Sequence, residues 1–289
     1  MHAATPLLGS QAFVGTVGAW RETAHIQVWP AKPTPNHIVS TCAYCGSPGP
    51  LTKEHIWPKS LIEKYESLKT FNPRKGTFHG GEPVVKDVCA TCNNIGLSPL
   101  DNYLSGLFDR HFARILEPGE SAPLEYDYAL LLRALLKISY NSSRSVEADL
   151  TRRTLARYAN YILVGGHPTQ VVVRLQVVTS SRAMAPETGE VRPFRPEALR
   201  VGTLAYDGRF ANRFMVRLVG FNSYWFYVAI AHDVEPPHKW RDFLAALSNW
   251  RSPTGVRLDP QASNIVVPPR LSTYFHPALL GSLAGAARA

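Results

Sequence analysis

The sequence predicts an α+β protein in which a short cysteine-rich segment precedes a larger part built from helices and antiparallel strands. Residues 41–95 contain all four cysteines but no long periodic hydrophobic run. Such a segment buries too little apolar surface to fold without a metal. Three helical patterns and then a series of strand patterns follow it. That order is typical of α+β domains.

The composition is that of a globular protein with a substantial core. Of the 289 residues, 45% are hydrophobic and 18% are charged. The chain contains no long uninterrupted apolar run that would predict a membrane-spanning helix. The first twenty residues have no lysine or arginine before a weakly apolar stretch, unlike a secretory signal. We therefore expect a cytoplasmic protein with no membrane partner.

The net charge of +9 is concentrated in the C-terminal part of the chain. Residues 111–289 contain 21 basic and 14 acidic side chains, a difference of +7, and 19 of the basic residues are arginines. The planar guanidinium group of arginine suits bidentate contact with phosphate, so a nucleic-acid partner is plausible. An arginine-rich solvated surface without such a partner would explain the same charge.

In chain order, residues 1–39 are expected to form a poorly ordered lead-in, because WPAKPTPNH contains three prolines. The first predicted helix begins at Ser98, in the sequence Ser-Pro-Leu-Asp. Serine can cap a helix, proline suits its first position, and an acidic residue three places after the serine completes a capping box. This helix is expected to end before Glu-Pro-Gly at 117–119.

The remaining chain is predicted to be an arginine-rich α+β accessory domain, residues 118–289, that follows a first domain of residues 40–117. Its predicted elements are helices over 126–140 and 149–163, strands over 170–179, 200–206, 213–221 and 224–231, and a helix over 240–250. Asn222-Ser223 is expected to form the tight turn of a hairpin between the last two strands.

The four cysteines form two pairs, Cys42/Cys45 and Cys89/Cys92, with 43 residues between the pairs. Four thiolates at this spacing predict a tetrahedral Zn²⁺ site that is structural, because a closed sulfur shell leaves no position for water or substrate. Two disulfides and a redox CxxC motif are the alternatives. Both are less consistent with a cytoplasmic chain and with two pairs outside a βαβ pattern.

A Glu-His dipeptide, Glu54-His55, lies between the two cysteine pairs. Adjacent residues on a strand face opposite sides, so the two side chains act together only if the strand ends here in a turn. Pro58 favours such an ending. A lone histidine is usually structural. The acidic neighbour, the flanking cysteine pairs and Asn93-Asn94 after Cys92 favour a functional site.

The segments CAYCG, LTKEHIWPKSL and VKDVCATCNNIG, in this order, resemble the HNH endonuclease family in its zinc-clasped branch. The resemblance covers roughly residues 40–105. It implies a zinc-stabilised ββα-metal finger, in which a β-hairpin carries the catalytic histidine and a following helix carries the last motif residue.

The resemblance also implies roles for individual residues. His55 corresponds to the general base, Glu54 to the acidic ligand of a catalytic Mg²⁺ or Mn²⁺ ion, and Asn93 to the other ligand of that ion. Asn94 is an alternative to Asn93. The sequence departs from the family near Val84, where the family's middle asparagine is missing.

Three functions are consistent with these features. The resemblance favours a metal-dependent endonuclease that cuts nucleic acid, with DNA as the expected substrate. A non-catalytic zinc-knuckle module that binds nucleic acid is the second. A protein-interaction module in which Glu54 and His55 only brace the knuckle is the third.

Overall fold

The computed structural model describes residues 40–65, 69–72, 77–80, 82–146, 149–184, 188–204, 206, 208–248 and 254–268. The predicted lead-in over 1–39 lies outside these residues. Helices and antiparallel strand pairs make up the described chain, which confirms the predicted α+β class.

The cysteine-rich segment contains two pairs of antiparallel strands. Its elements are β1 (Leu51–His55), α1 (Lys59–Ile62), β2 (Lys69–Asn72), β3 (Thr77–Gly80) and β4 (Val84–Cys89). The first pair joins β1 to β4 and the second joins β2 to β3. The β1–β4 register shifts by one residue between Thr52 and Glu54. Such a bulge re-aims the side chains beside it.

A long helical stretch follows β4. It contains a π-helical segment, Cys92–Leu97, then α2 (Ser98–Leu107), then a second π-helical segment, Phe108–Phe112. The α-helix α2 begins at Ser98, as predicted, but Ser98 does not cap it, because the chain is already helical before it and Ser98 itself has helical angles (φ −53°, ψ −39°). The preceding turn therefore makes a cap unnecessary, and the Asp101 carboxylate contacts Lys137 instead.

The C-terminal part follows the predicted order, with additional short strands. It consists of β5 (Ala122–Glu125), α3 (Tyr128–Val146), α4 (Asp149–Ala156), α5 (Ala159–Val164), β6 (Val171–Val177), β7 (Ser181–Met184), β8 (Val191–Phe194), β9 (Leu199–Thr203), β10 (Phe214–Phe221), β11 (Tyr224–Ala231), α6 (Pro237–Ser248), β12 (Val256–Arg257) and β13 (Asn264–Val267). The helix predicted over 149–163 is divided into α4 and α5.

Five of these strands form an antiparallel sheet in the order β12-β6-β11-β10-β9. The hairpin β10–β11 turns at Asn222-Ser223, as predicted, and Asn222 adopts a positive φ of 50°. Every residue of both hairpin strands is buried. Alternate side chains face α6 on one side of the sheet and the main core, including α2 and α3, on the other.

Residues on both sides of the predicted domain boundary at 117/118 contribute to the same hydrophobic cluster. The ring centroids of Trp57 and Phe221 lie 5.4 Å apart, and those of Phe112 and Phe221 lie 5.0 Å apart. The Tyr65 hydroxyl donates a hydrogen bond to Asn222 Oδ1 at 2.9 Å. The cysteine-rich segment therefore packs directly on the turn end of the β10–β11 hairpin. The boundary itself stays a prediction.

Candidate metal centre and histidine site

The four cysteine sulfurs converge, as the sequence predicts. Cys42, Cys45, Cys89 and Cys92 place their Sγ atoms within 4.8 Å of one another, and the Cys45 and Cys89 sulfurs are 3.8 Å apart. A zinc ion bound by four thiolates at about 2.3 Å would have sulfur–sulfur distances of about 3.8 Å. All four cysteines are free. The cluster can therefore hold a metal ion such as zinc.

Hydrogen bonds favour the thiolate form of some of these sulfurs, whereas burial raises the pKa of the Cys92 thiol. Cys42 and Cys45 lie in a tight turn that Gly46 closes at φ 73°, where a side chain would be strained. The backbone N–H of Cys89 donates to Cys42 Sγ at 3.3 Å, and that of Cys92 donates to Cys89 Sγ at 3.5 Å. Hydrogen bonds from Ser47 lower the pKa of Cys45 to about 6.

Glu54 and His55 are neighbours on β1, so their side chains lie on opposite faces of the strand. The side chain of Glu54 points into the protein. It is only 3% exposed. Its Oε1 atom lies 2.6 Å from Lys137 Nζ and accepts a hydrogen bond from Asn141 Nδ2 at 3.2 Å. Burial raises the pKa of Glu54, and the Lys137 ammonium opposes that rise. Glu54 thus belongs to a buried ion pair.

This ion pair is part of a polar face of α3 that docks the helix against the cysteine-rich segment. Lys137 also contacts Asp101 Oδ1 at 2.5 Å. One helical turn further on, Asn141 Oδ1 accepts a hydrogen bond from the Tyr44 hydroxyl at 2.6 Å, and Asn141 Nδ2 donates to the His55 carbonyl at 3.0 Å. Each end of the Asn141 amide therefore holds a different part of the segment.

Arg144 extends the same helix face toward the first cysteine pair. Its Nε atom lies 2.8 Å from Asp87 Oδ2, and its guanidinium carbon lies 4.2 Å from the centroid of the Tyr140 ring. The Tyr140 hydroxyl donates to the Ala43 carbonyl at 3.0 Å. No sequence motif marks these α3 residues as part of the site. Their spacing along one helix face was the only available signal.

His55, the last residue of β1, faces the opposite side and retains 24% exposure of its side chain. Its Nε2 atom lies 2.9 Å from Glu82 Oε2. Sequence reasoning missed Glu82. Glu82 lies two residues before β4 and opposite the end of β1, a position that becomes apparent only once these strands are paired.

The asparagine pair follows the fourth cysteine. Asn93 Nδ2 donates to Thr52 Oγ1 and to the Lys53 carbonyl, both at 2.9 Å. Asn94 is exposed. The structure therefore brings Asn93, rather than Asn94, against the strand that carries Glu54 and His55.

Among the residues that the structure describes, the cysteine cluster is the one group of three or more His, Cys, Asp or Glu side chains that could hold a metal ion. Glu54 fits the role of a Mg²⁺ or Mn²⁺ ligand poorly, because Lys137 already balances the charge of its buried carboxylate. Its role as a metal ligand stays a prediction.

The arginines of the C-terminal part have varied environments. Arg217 is fully buried in the sheet and donates to Thr203 Oγ1 and to Ser142 Oγ, both at 2.6 Å. Arg133 donates to the carbonyls of Ile162 and Leu163 at the end of α5. Some of the arginines counted from the sequence therefore form hydrogen bonds within the protein rather than contributing an unpaired charge to its surface.

Beyond the histidine site, a surface groove of about 920 Å³ lies between β6 and α6. None of the predicted site residues lines it.

In the part of the chain that the structure describes, every helix is too short or too polar to span a lipid bilayer. Comparisons with protein-family models, with curated proteins and with solved structures found no match.

Proposed function

We propose that the chain is a metal-dependent HNH-type endonuclease that hydrolyses phosphodiester bonds in nucleic acid, with DNA as the expected substrate. The observation that carries the proposal is the contact between the two motif segments. Asn93, directly after the second cysteine pair, donates to the backbone of Lys53, two residues before His55. Residues that the family resemblance assigns to one site thus lie on touching elements.

The local architecture supports the same proposal. An antiparallel strand pair, β1–β4, is followed by a helix, and the sulfurs of both cysteine pairs converge beside it. This is the arrangement expected of a zinc-stabilised ββα finger. In this proposal the zinc is structural, since four sulfurs complete its shell.

His55 acts in this proposal as the general base. It takes a proton from a water molecule whose oxygen attacks the phosphorus. Its partial exposure at the end of β1 makes it accessible to a backbone phosphate. A bound Mg²⁺ or Mn²⁺ ion would stabilise the developing charge on the phosphate oxygens. Asn93 offers the oxygen of its amide for such an ion, since the amide nitrogen is already bonded to β1.

The positively charged groups near His55 favour a polyanionic substrate. The carboxylate of Glu82, next to His55, has a lowered pKa, first because of its hydrogen bond with His55 and further because Lys59 and Lys53 are nearby. Both lysines are exposed. They can therefore contact phosphates on either side of the scissile bond.

The direct test is plasmid cleavage in the presence of Mg²⁺ or Mn²⁺. We expect nicking or cutting that EDTA stops and that His55→Ala abolishes without loss of folding. His238→Ala is the matched control, because His238 is an exposed histidine on α6. Cleavage that is unchanged in His55→Ala would refute the proposed mechanism.

A second candidate is a non-catalytic zinc-held module. The buried Glu54–Lys137 pair favours it, because in this pair Glu54 serves the fold. Binding of DNA with a steep salt dependence but without cleavage would support a nucleic-acid-binding module. Absence of both binding and cleavage would support a protein-interaction module.

A further inference from the structure

The carboxylate that contacts His55 is Glu82, not the neighbouring Glu54. The pairing of β1 with β4 places His55 opposite Val84. The Ile56 N–H donates to the Pro83 carbonyl at 2.9 Å, which continues the pairing past the end of β1. Glu82 is thereby held beside the imidazole ring, and its Oε2 atom lies 2.9 Å from His55 Nε2.

The direction of this hydrogen bond follows from charge. Its hydrogen bond with His55 and the nearby lysines hold the pKa of Glu82 below its usual range, so the carboxylate is ionised at neutral pH. An ionised carboxylate has no proton to donate. His55 Nε2 must therefore carry the hydrogen, and Nδ1 is left unprotonated in the neutral ring. Nδ1 has no hydrogen-bond partner among the residues that the structure describes.

We propose that Glu82 is a positioning residue that fixes His55 in the Nε2–H tautomer, so that Nδ1 is the nitrogen that accepts the proton of water. The catalytic part of this inference rests on the proposed nuclease function.

The proton and bond balance is simple. Nδ1 takes one proton from water, the water oxygen forms a bond to phosphorus, and the bond from phosphorus to the leaving oxygen breaks. The leaving oxygen takes a proton from solvent, and His55 later returns its own proton to solvent. During the step both ring nitrogens carry hydrogens, and the Glu82 carboxylate stabilises the resulting positive charge.

The first experiment measures the tautomer directly and needs no activity. ¹⁵N NMR of the histidine-labelled, zinc-loaded full chain at about pH 8.5, well above the ordinary histidine pKa, distinguishes a protonated ring nitrogen from a bare one. His55→Ala identifies the His55 signals. We expect the Nε2–H form in the unmodified chain and in Glu82→Gln, whose amide oxygen can still accept. A mixture of tautomers is expected in Glu82→Ala.

The second experiment measures cleavage by the same variants. Glu82→Ala is expected to lower kcat about tenfold to a hundredfold, with KM within about twofold, because an outer partner that orients a functional histidine has an effect of this size. Glu82→Gln should lie between Glu82→Ala and the unmodified chain. Glu125→Ala, which removes an exposed carboxylate from β5, should change neither the tautomer nor kcat.

The outcomes separate the two proposals. A tautomer that is the same in Glu82→Ala and in the unmodified chain overturns the inference, as does an unchanged kcat in an active enzyme. If Glu82→Ala alters the tautomer but the unmodified chain cuts no nucleic acid, the nuclease proposal fails. The positioning of His55 by Glu82 then stands.

Discussion

Replacing Lys137 with methionine tests whether the buried ion pair or a catalytic metal accounts for Glu54. The Lys137 side chain is fully buried, and its ammonium contacts Glu54 at 2.6 Å and Asp101 at 2.5 Å. Methionine keeps an unbranched chain but removes the charge. In Lys137→Met, Glu54 would remain buried without its cation, whereas Asp101 is partly exposed and can be hydrated.

The size of the effect follows from this geometry. At an effective dielectric constant of about 20, two unit charges 2.6 Å apart attract each other by about 6 kcal/mol. Desolvation of both charges offsets much of that attraction, but removal of one partner leaves the other buried and unpaired. Breaking such a pair costs about 3–5 kcal/mol. The double variant Glu54→Gln/Lys137→Met removes both charges and is expected to lie within about 2 kcal/mol of the unmodified chain.

Urea unfolding at constant zinc concentration measures these free energies, since a bound metal itself stabilises the folded state. With a slope of about 3 kcal/mol per molar urea, the Lys137→Met midpoint should fall by about 1–1.7 M. The two substitutions should also be strongly non-additive. A loss below about 1 kcal/mol in Lys137→Met, or a double variant that shows the sum of the single losses, would refute the reasoning. Cleavage by a folded double variant would further show that the Glu54 carboxylate is dispensable as a metal ligand.

Three other predictions follow from the structure. Cys89→Ser should reduce bound zinc from about one ion per chain to none and lower Tm by more than about 5 °C, because zinc binding contributes to folding. Asn141→Ala should cost about 2–3 kcal/mol of unfolding free energy, since it leaves the Tyr44 hydroxyl and the His55 carbonyl without their partner. Burial lowers the pKa of His232 below its ordinary 6.5. Its contribution to stability is therefore present above about pH 6.5 and lost as the pH falls through the folded-state pKa, because the unfolded chain binds more protons. His232→Gln should flatten the decline in unfolding free energy between about pH 7 and pH 5.

Each of these predictions has its own check. Metal analysis that still finds one zinc ion in Cys89→Ser would contradict the four-sulfur site. For Asn141, Asn94→Ala is the matched control, since Asn94 is an exposed asparagine and its loss should change the unfolding free energy little. Identical acid-side slopes for His232→Gln and the unmodified chain would contradict the histidine prediction.

Elements with strong local patterns were predictable from the sequence. The hairpin strands β10 and β11 and the helix α3 were expected because each carries a run of apolar residues between clear turn signals. The strands β5 and β13 were missed. Each is only four residues long, and they pair with each other across the chain, with Leu124 opposite Ile265. Short strands of this kind depend on a distant partner rather than on their own residues.

The predicted helix α2 does begin at Ser98, but its predicted capping box failed for a related reason. A capping motif can act only if the chain arrives in a non-helical conformation, and here the π-helical segment Cys92–Leu97 precedes it. The carboxylate of Asp101, the acidic residue of the motif, contacts Lys137 on α3 instead of the start of its own helix. Local sequence contains no information about that contact, because the two residues come together only when the helices pack.

By itself the sequence determined the four-sulfur cluster, because the chain has only four cysteines and each Cys-x-x-Cys pair is a local unit. The tertiary structure decided which way the charged side chains of the site face and what they contact. Glu54 and His55 are adjacent in sequence, yet one is paired with Lys137 inside the protein and the other with Glu82 at the surface. These partners are set by the pleat of β1 and by the packing of α3, neither of which can be derived from the Glu-His dipeptide.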